Sequence, residues 1–300
     1  MRYIVTDLEW NGAYSRRAHG YFNEIIEIGA VALDERLQIT DRFQAIVRPS
    51  VSKKLSGIVS ELTNITGEEL ADGTDFDAAV RAFSAFIGDG DTAVLTWSMT
   101  DLLVLIENCR FFYGREQIPF LQNYLDLQAY AQRRMDAAAG QQLGLARAGE
   151  LLGIPEDALS LHRAPDDSLL TARILQKVGD PASLAAAVEA ADGEFYRRAT
   201  FKVTVIDDID SPLVRRSELH FTCPADGRTL QPVGGRDGKW HFRNRAFCAR
   251  LTCPSCKKVY NARAQFKLRY EGVECRKKLT ERVPPAEEDA SPDGEAPAQT

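Results

Sequence analysis

The first ten residues, MRYIVTDLEW, constrain this chain more than any other stretch. Residues 2–6 are a β-branched and aromatic run that reads as a buried strand, and it ends on Asp7 and Glu9. Residues two apart on a strand point to the same face, so two carboxylates converge at the C-terminal edge of a sheet. Carboxylates that close raise each other's pKa unless a cation neutralises them. Hard divalent ions such as Mg²⁺ take oxygen ligands of this kind. Standing alone, Asp7 would cap a turn and Glu9 would be solvated surface. Partners elsewhere in the chain decide between the two readings.

Charge and cysteine divide the 300 residues. Residues 1–198 carry 19 Lys and Arg against 29 Asp and Glu, whereas residues 199–283 carry 18 against 9. An acidic body joined to a basic module suggests catalysis at one end and a polyanion-binding surface at the other. Cys109 stands alone, while Cys223, Cys248, Cys253, Cys256 and Cys275 lie in the basic part. The N-terminus lacks a basic region followed by an apolar stretch, so no secretory signal is expected. No apolar run approaches the roughly 20 residues of a membrane helix. These features predict a cytoplasmic protein without a membrane partner, in which clustered cysteines favour metal over disulfides.

Residues 11–23 read as a loop, and 24–33 and 37–48 as a second and third strand closing an antiparallel meander. Helical spacing follows in 55–62 and 76–87, then a strand over 92–97 and a helix over 100–113. Residues 123–128 read as a strand running into a helix near Arg134, and 135–142 as a loop or frayed helix end. Helices follow over 143–152 and 166–178, with Asp166 at the cap, and one Ala-rich helix over 181–198. A meander followed by alternating strands and helices implies a mixed α/β sheet flanked by helices. Beyond Thr200 the pattern turns to strands over 201–206, 219–222, 239–242 and 264–270. A Pro, Ala and acid-rich tail over 284–300 is expected to be disordered.

Two later segments answer the opening one. Thr96-Trp97-Ser98-Met99-Thr100-Asp101 joins a strand end to a helix start, and His162-Arg163-Ala164-Pro165-Asp166-Asp167 opens a late helix. Asp7, Glu9, Asp101 and Asp167 with His162 suit a two-metal phosphodiester hydrolase, in which the ions sit roughly 3.5–4 Å apart. A histidine of near-neutral pKa can deprotonate the attacking water.

In these motifs the chain resembles the DEDDh 3′–5′ exonucleases, closest to the subgroup of histone-mRNA exonucleases and the sporulation-inhibitor type. D-x-E after the first strand, W-x-x-x-D in the middle and H-x-x-x-x-D before a late helix carry the likeness. E-I-I-E-I-G-A-V at 24–31 and L-T-N-I-T at 62–66 add to it. The resemblance covers roughly residues 1–180. It implies an RNase H-like fold, two Mg²⁺ or Mn²⁺ ions, and release of nucleoside 5′-monophosphates from a free 3′ end. By the same resemblance Asp7 would bridge both ions, Glu9 and Asp167 would complete the tighter site, and Asp101 would hold the second ion. His162 would be the general base. Leu8 and Trp10 fall where the family binds the terminal nucleotide, and Thr63, Asn64, Ile65 and Thr66 where a loop packs on its sugar or base. This chain has Asn64 and Ser98 where the family has Gly, and Pro165 where it has an aliphatic residue. Asn tolerates positive φ better than most residues, and Pro suits a first helical turn.

In the basic module, Cys253-Pro-Ser-Cys256 is a knuckle that holds half a tetrahedral zinc site. Cys223 supplies a third ligand, and His220, Asp226 or Cys248 could each be the fourth. The alternative is a ribbon that has lost its metal. Lys239 to Arg245 and Arg263 to Tyr270 interleave cations with aromatic rings, which suits single-stranded nucleic acid. The expected organisation is therefore an exonuclease domain over 1–180, a connecting helix over 181–200, a basic zinc-ribbon-like domain over 201–283 and a tail. The expected activity is 3′–5′ cleavage of single-stranded nucleic acid, RNA before DNA. The rivals are a nucleic-acid-binding protein of weak catalysis, and a proofreading or repair subunit whose C-terminal part docks a protein partner.

Overall fold

The computed structural model describes residues 1–52, 54–135, 142–155, 162–233 and 239–282. They fall into two compact units that divide between Thr200 and Phe201. In the first unit β1 (Arg2–Ser15), β2 (Gly20–Leu33) and β3 (Ile39–Ile46) form an antiparallel meander. Strand β4 (Thr92–Thr96) pairs parallel with β1, β5 (Asn123–Asp126) parallel with β4, and β6 (Glu189–Ala190) antiparallel with β5. The sheet order is β3-β2-β1-β4-β5-β6. Around it lie α1 (Gly57–Thr63), α2 (Gly67–Asp72), α3 (Phe76–Ile87), α4 (Met99–Tyr113), α5 (Leu127–Arg134), α6 (Leu145–Leu151), α7 (Ala164–Val178), α8 (Pro181–Ala187) and α9 (Gly193–Ala199).

Strand period sorts β1 between two cores. Ile4 and Leu8 pack with Phe83 of α3 and with Leu102 and Leu105 of α4. Tyr3 and Val5 pack with Leu169, Ala172 and Leu175 of α7. A central strand buried on both faces is the mark of a sheet covered by helices on each side.

Three expectations about this unit change. Residues 11–23 are not a loop: the β1–β2 ladder runs on to Ser15 opposite Gly20, so the two strands complete each other. The late helix starts at Ala164 with Arg163 as its cap, which puts Asp166 inside the first turn. Residues 181–198 are not one helix. Asp180 and Asp192 cap separate helices, and β6 between them extends the sheet. Leu184, Phe195 and Tyr196 are buried in the two cores, so this stretch is part of the first unit rather than a connector.

The second unit is a sheet of β7 (Thr204–Val205), β8 (Gln231–Pro232), β9 (His241–Arg243), β10 (Ala246–Thr252), β11 (Val259–Arg269) and β12 (Gly272–Glu281). Strands β8, β10 and β12 were not expected from sequence. The strand expected over 201–206 shrinks to β7, and that over 219–222 is a 3₁₀ turn, Arg216–Leu219, with one isolated bridge at Thr222. The tail over 284–300 lies outside the described residues, as does most of 135–142. Among the described residues no helix is long and apolar enough to cross a membrane.

Candidate active site

Asp7 and Glu9 continue the Tyr3–Val5 row of β1, the row that faces α7. Asp167 lies in the first turn of α7. Carboxylate oxygens of Asp7, Glu9 and Asp167 all lie within 4.8 Å of one another. Asp101 comes from the opposite layer. Ser98 caps α4 by accepting the Thr100 N–H, and Asp101 in the following turn accepts the Leu8 N–H at 3.2 Å. That bond ties Asp101 to the residue between the two β1 acids, and its charge raises Asp7. His162 is exposed, with φ 67°, and its backbone N–H donates to Asp167 Oδ2 at 3.1 Å. The residues before it, 156–161, lie outside the described set.

The electrostatics are those of crowded acids. Asp7 is held well above the usual carboxylate range, first by desolvation and then by Asp101, Asp167 and Glu9. Burial pushes Glu9 up to about 8, with Asp167 and Glu27 adding to it. Burial likewise raises Asp101 to about 7 and Asp167 to about 6, against the lowering pull of the Leu8 and His162 N–H groups respectively.

Three residues that sequence reasoning passed over build this site. Gly29 is the ladder partner of Asp7, and a Cβ there would fall 2.1 Å from the Ala164 carbonyl carbon. Only a glycine lets the start of α7 lie on the sheet close enough for Asp167 to reach the β1 acids. Glu27, fully buried opposite Glu9, accepts Arg163 Nε and Nη2 at 2.8–3.2 Å and the Ala164 N–H at 3.1 Å. Arg163 also reaches Glu69 at 3.3 Å, so the residue beside His162 is fixed from two sides. The one available signal was a glutamate inside the otherwise apolar run IIEIGAV, since a charge in a buried strand demands a partner.

The expected nucleotide contacts divide. Asn64 and Thr66 are exposed. Asn64 caps α1 at φ 56°, the conformation its side chain tolerates, and Thr66 forms a capping box with Glu69. Thr63 and Ile65 are buried instead: the Thr63 hydroxyl donates to the Val59 carbonyl and accepts the Ile65 N–H, and Ile65 packs on Ile26 and Leu70. Leu8 is also a core side chain, so only its backbone borders the site, and Trp10 is half-buried on the same core. The exposed apolar side chains nearby are Ile58 and Leu62 of α1, which sequence did not single out.

The exonuclease family model of the RNase T type matches residues 4–175, more than half of the chain and the span that holds all four carboxylates. The chain belongs to that family. One of its structural neighbours is described as a DEDDh family member. The probable 3′–5′ exonuclease KapD of Bacillus subtilis is 29% identical over 121 residues, which are 39% of this chain and 55% of that protein. The match thus spans about half the length of that curated relative. Among solved structures, the nuclease domain of 3′hExo bound to rAMP aligns with TM-score 0.52 at 20% identity, covering 64% of this chain and 96% of that one. A 3′-exonuclease solved in recognition of the histone mRNA stem-loop gives 0.51 at 19%, covering 64% and 91%. At such identities the likeness is one of fold: the exonuclease unit is RNase H-like.

In the second unit, ligand atoms of Cys223, Asp226, Cys253 and Cys256 lie within 4.8 Å of one another. His220 and Cys248 stand outside that group. His220 is exposed with its carbonyl accepting Lys277 Nζ, and Cys248 Sγ neighbours the Arg243 and Ala246 carbonyls. On the outer face of β9–β12, His241, Arg243, Arg250, Arg263 and Lys278 line a hollow of about 490 Å³ that has no carboxylate in its lining. Arg263 and Lys278 are cross-strand partners there, a like-charge pairing that costs stability unless an anion joins it.

Proposed function

We propose that this chain is a metal-dependent 3′–5′ exonuclease that shortens single-stranded nucleic acid from a free 3′ end and releases nucleoside 5′-monophosphates. The observation that carries the reading is the convergence of four carboxylates, from β1, α4 and α7, at one edge of a sheet. Arg163, paired with Glu27 and Glu69, pulls Glu9 down only against the larger effects of burial and the neighbouring acids, and Glu9 still rises to about 8. An all-oxygen donor set at this spacing fits hard divalent ions, Mg²⁺ or Mn²⁺. Asp7 would serve both ions, with Glu9 and Asp167 holding one and Asp101 the other. Ions bound there would supply charge neutralisation of the scissile phosphate and acidification of a water. His162 would accept the proton of the attacking water, and the Glu27–Arg163 clamp keeps the backbone next to His162 in place. Asn64 and Thr66, exposed beside the α1–α2 turn, contact the terminal nucleotide.

The neighbours that carry rAMP or a histone mRNA stem-loop support a nucleic-acid substrate, and the subgroup likeness favours RNA over DNA. The basic outer face of β9–β12 suits the phosphate backbone of a nucleic-acid strand. The test uses 5′-labelled single-stranded RNA and DNA with Mg²⁺ or Mn²⁺, beside Asp7→Ala and His162→Ala. The reading expects a ladder shortening from the 3′ end, faster on RNA and absent in both variants. Equal degradation by the variants contradicts it.

A further inference from the structure

Two five-residue segments of the second unit, Cys223-Pro-Ala-Asp226-Gly227 and Cys253-Pro-Ser-Cys256-Lys257, share one backbone fold although they differ at their last three positions. In each, the fifth N–H donates to the carbonyl of the first cysteine: Gly227 to Cys223 at 2.9 Å, Lys257 to Cys253 at 3.1 Å. In each, the cysteine N–H donates onward to the sixth carbonyl, Arg228 at 2.7 Å and Lys258 at 3.0 Å. Gly227 and Lys257 both take positive φ, 71° and 64°. A lysine rarely adopts that conformation without surroundings that impose it. The sulfur of each first cysteine also accepts backbone N–H groups, from Ala225 and Asp226 at Cys223 and from Ser255 and Cys256 at Cys253.

The distances fit one ion. Cys223 Sγ and Cys256 Sγ are 3.7 Å apart, and Cys253 Sγ lies 3.3 Å from Asp226 Oδ2. A tetrahedron with Zn–S near 2.3 Å and Zn–O near 2.1 Å separates sulfur pairs by about 3.8 Å and sulfur–oxygen pairs by about 3.6 Å. A disulfide would need about 2.05 Å. The geometry points to a structural Zn²⁺ site in the second unit made of Cys223, Asp226, Cys253 and Cys256, with Asp226 as the fourth ligand. Borderline-soft zinc accepts three thiolates and a carboxylate, whereas Mg²⁺ and Ca²⁺ disfavour sulfur. The Tyr260 hydroxyl, 3.4 Å from Cys223 Sγ, donates to that thiolate from the core side. The ion ties residues 223–227 to the β10–β11 turn, over a small buried cluster that contains Phe221, Leu230, Leu251 and Tyr260. The site is independent of the exonuclease reading.

The test is metal analysis of the full chain purified without chelator, then exchange of its zinc for Co²⁺. One zinc per chain is expected. The Co²⁺ form is expected to show thiolate-to-metal charge transfer in the near ultraviolet and tetrahedral d–d bands in the visible. Asp226→Ala should weaken Co²⁺ binding by more than about 100-fold, beyond what loss of an outer hydrogen-bond partner costs. Asp226→Cys should keep the ion and move the d–d bands to longer wavelength, which decides the matter if Asp226→Ala does not fold. His220→Ala and Cys248→Ala should leave the spectrum unchanged. Absence of stoichiometric zinc together with absence of a charge-transfer band overturns the site. Unchanged bands in Asp226→Ala and in Asp226→Cys, or their loss in His220→Ala or Cys248→Ala, overturn Asp226 as the ligand. All of these readouts are taken without nucleic acid, so a failed nuclease assay leaves them standing.

Discussion

In the first unit the acids of the cluster sit at positions 7, 9, 101 and 167, on three elements that only the sheet topology brings together. In the second, the ligand atoms come from two short turns, 223–227 and 253–257, that repeat one local fold. The first cluster is held by a scaffold with a hydrophobic core on each face of the sheet. The second lies over a smaller core, in a sheet two of whose strands are two residues long. An oxygen site built this way stores repulsion that a cation relieves, and its shape does not depend on the cation. A thiolate site built from turns owes part of its shape to the ion.

The sharpest way to break that contrast is Asp7→Ala. Removing the shared ligand should lower cleavage by about 10³-fold or more, a loss of several kcal/mol of transition-state stabilisation. Thermal unfolding of the metal-free variant should occur no lower than in the wild type, because one of the repelling acids is gone. A large drop in Tm would mean that Asp7 holds the scaffold. Glu27→Ala tests the scaffold itself. It leaves Arg163 with Glu69 alone and removes a buried partner of Gln44 and the Ala164 N–H, and denaturant unfolding should show a loss of about 3–5 kcal/mol. Gly29→Ala should cost about 1–3 kcal/mol by the same measurement, with cleavage falling further than stability because α7 must move off β2.

The smallest effect is on pH. Asp167, Asp101 and Glu9 have folded pKa values of about 6, 7 and 8, above unfolded values of roughly 4. The metal-free fold therefore binds protons that the unfolded chain releases. The stability these groups contribute is present in full below about pH 4 and is lost as pH climbs through those three values. Calorimetric scans in chelator should show Tm drifting down from pH 5 to 8 relative to scans in saturating Mg²⁺. Parallel curves would refute the repulsion.

How much was legible follows from the same contrast. Asp7 and Glu9 could be read as sharing a face because strand period is local, and the α/β class followed from the order of strands and helices. Gly29 and the Glu27–Arg163 clamp could not, since their meaning lies in contacts between residues more than a hundred positions apart. Residues 11–23 looked like a loop because Gly12, Gly20 and polar side chains punctuate them, yet their backbone partners are one another. Residues 181–198 looked like one helix from alanine content, until pairing of β6 with β5 overrode propensity. Strand β12 is rich in charge because it has a wet face, and that hid it. Of His220, Asp226 and Cys248, Asp226 is the one whose ligand atom gathers with Cys223, Cys253 and Cys256, and only the folded turns could show that.

The most direct measurement of the central claim is a Mn²⁺ titration of the full chain, read by calorimetry at pH 7.5, for wild type and Asp7→Asn. The proposed function predicts that the wild type binds two Mn²⁺ and that Asp7→Asn, which keeps shape but removes the shared charge, loses both from the measurable range. Equal Mn²⁺ binding by the two proteins, or none by the wild type, would contradict it.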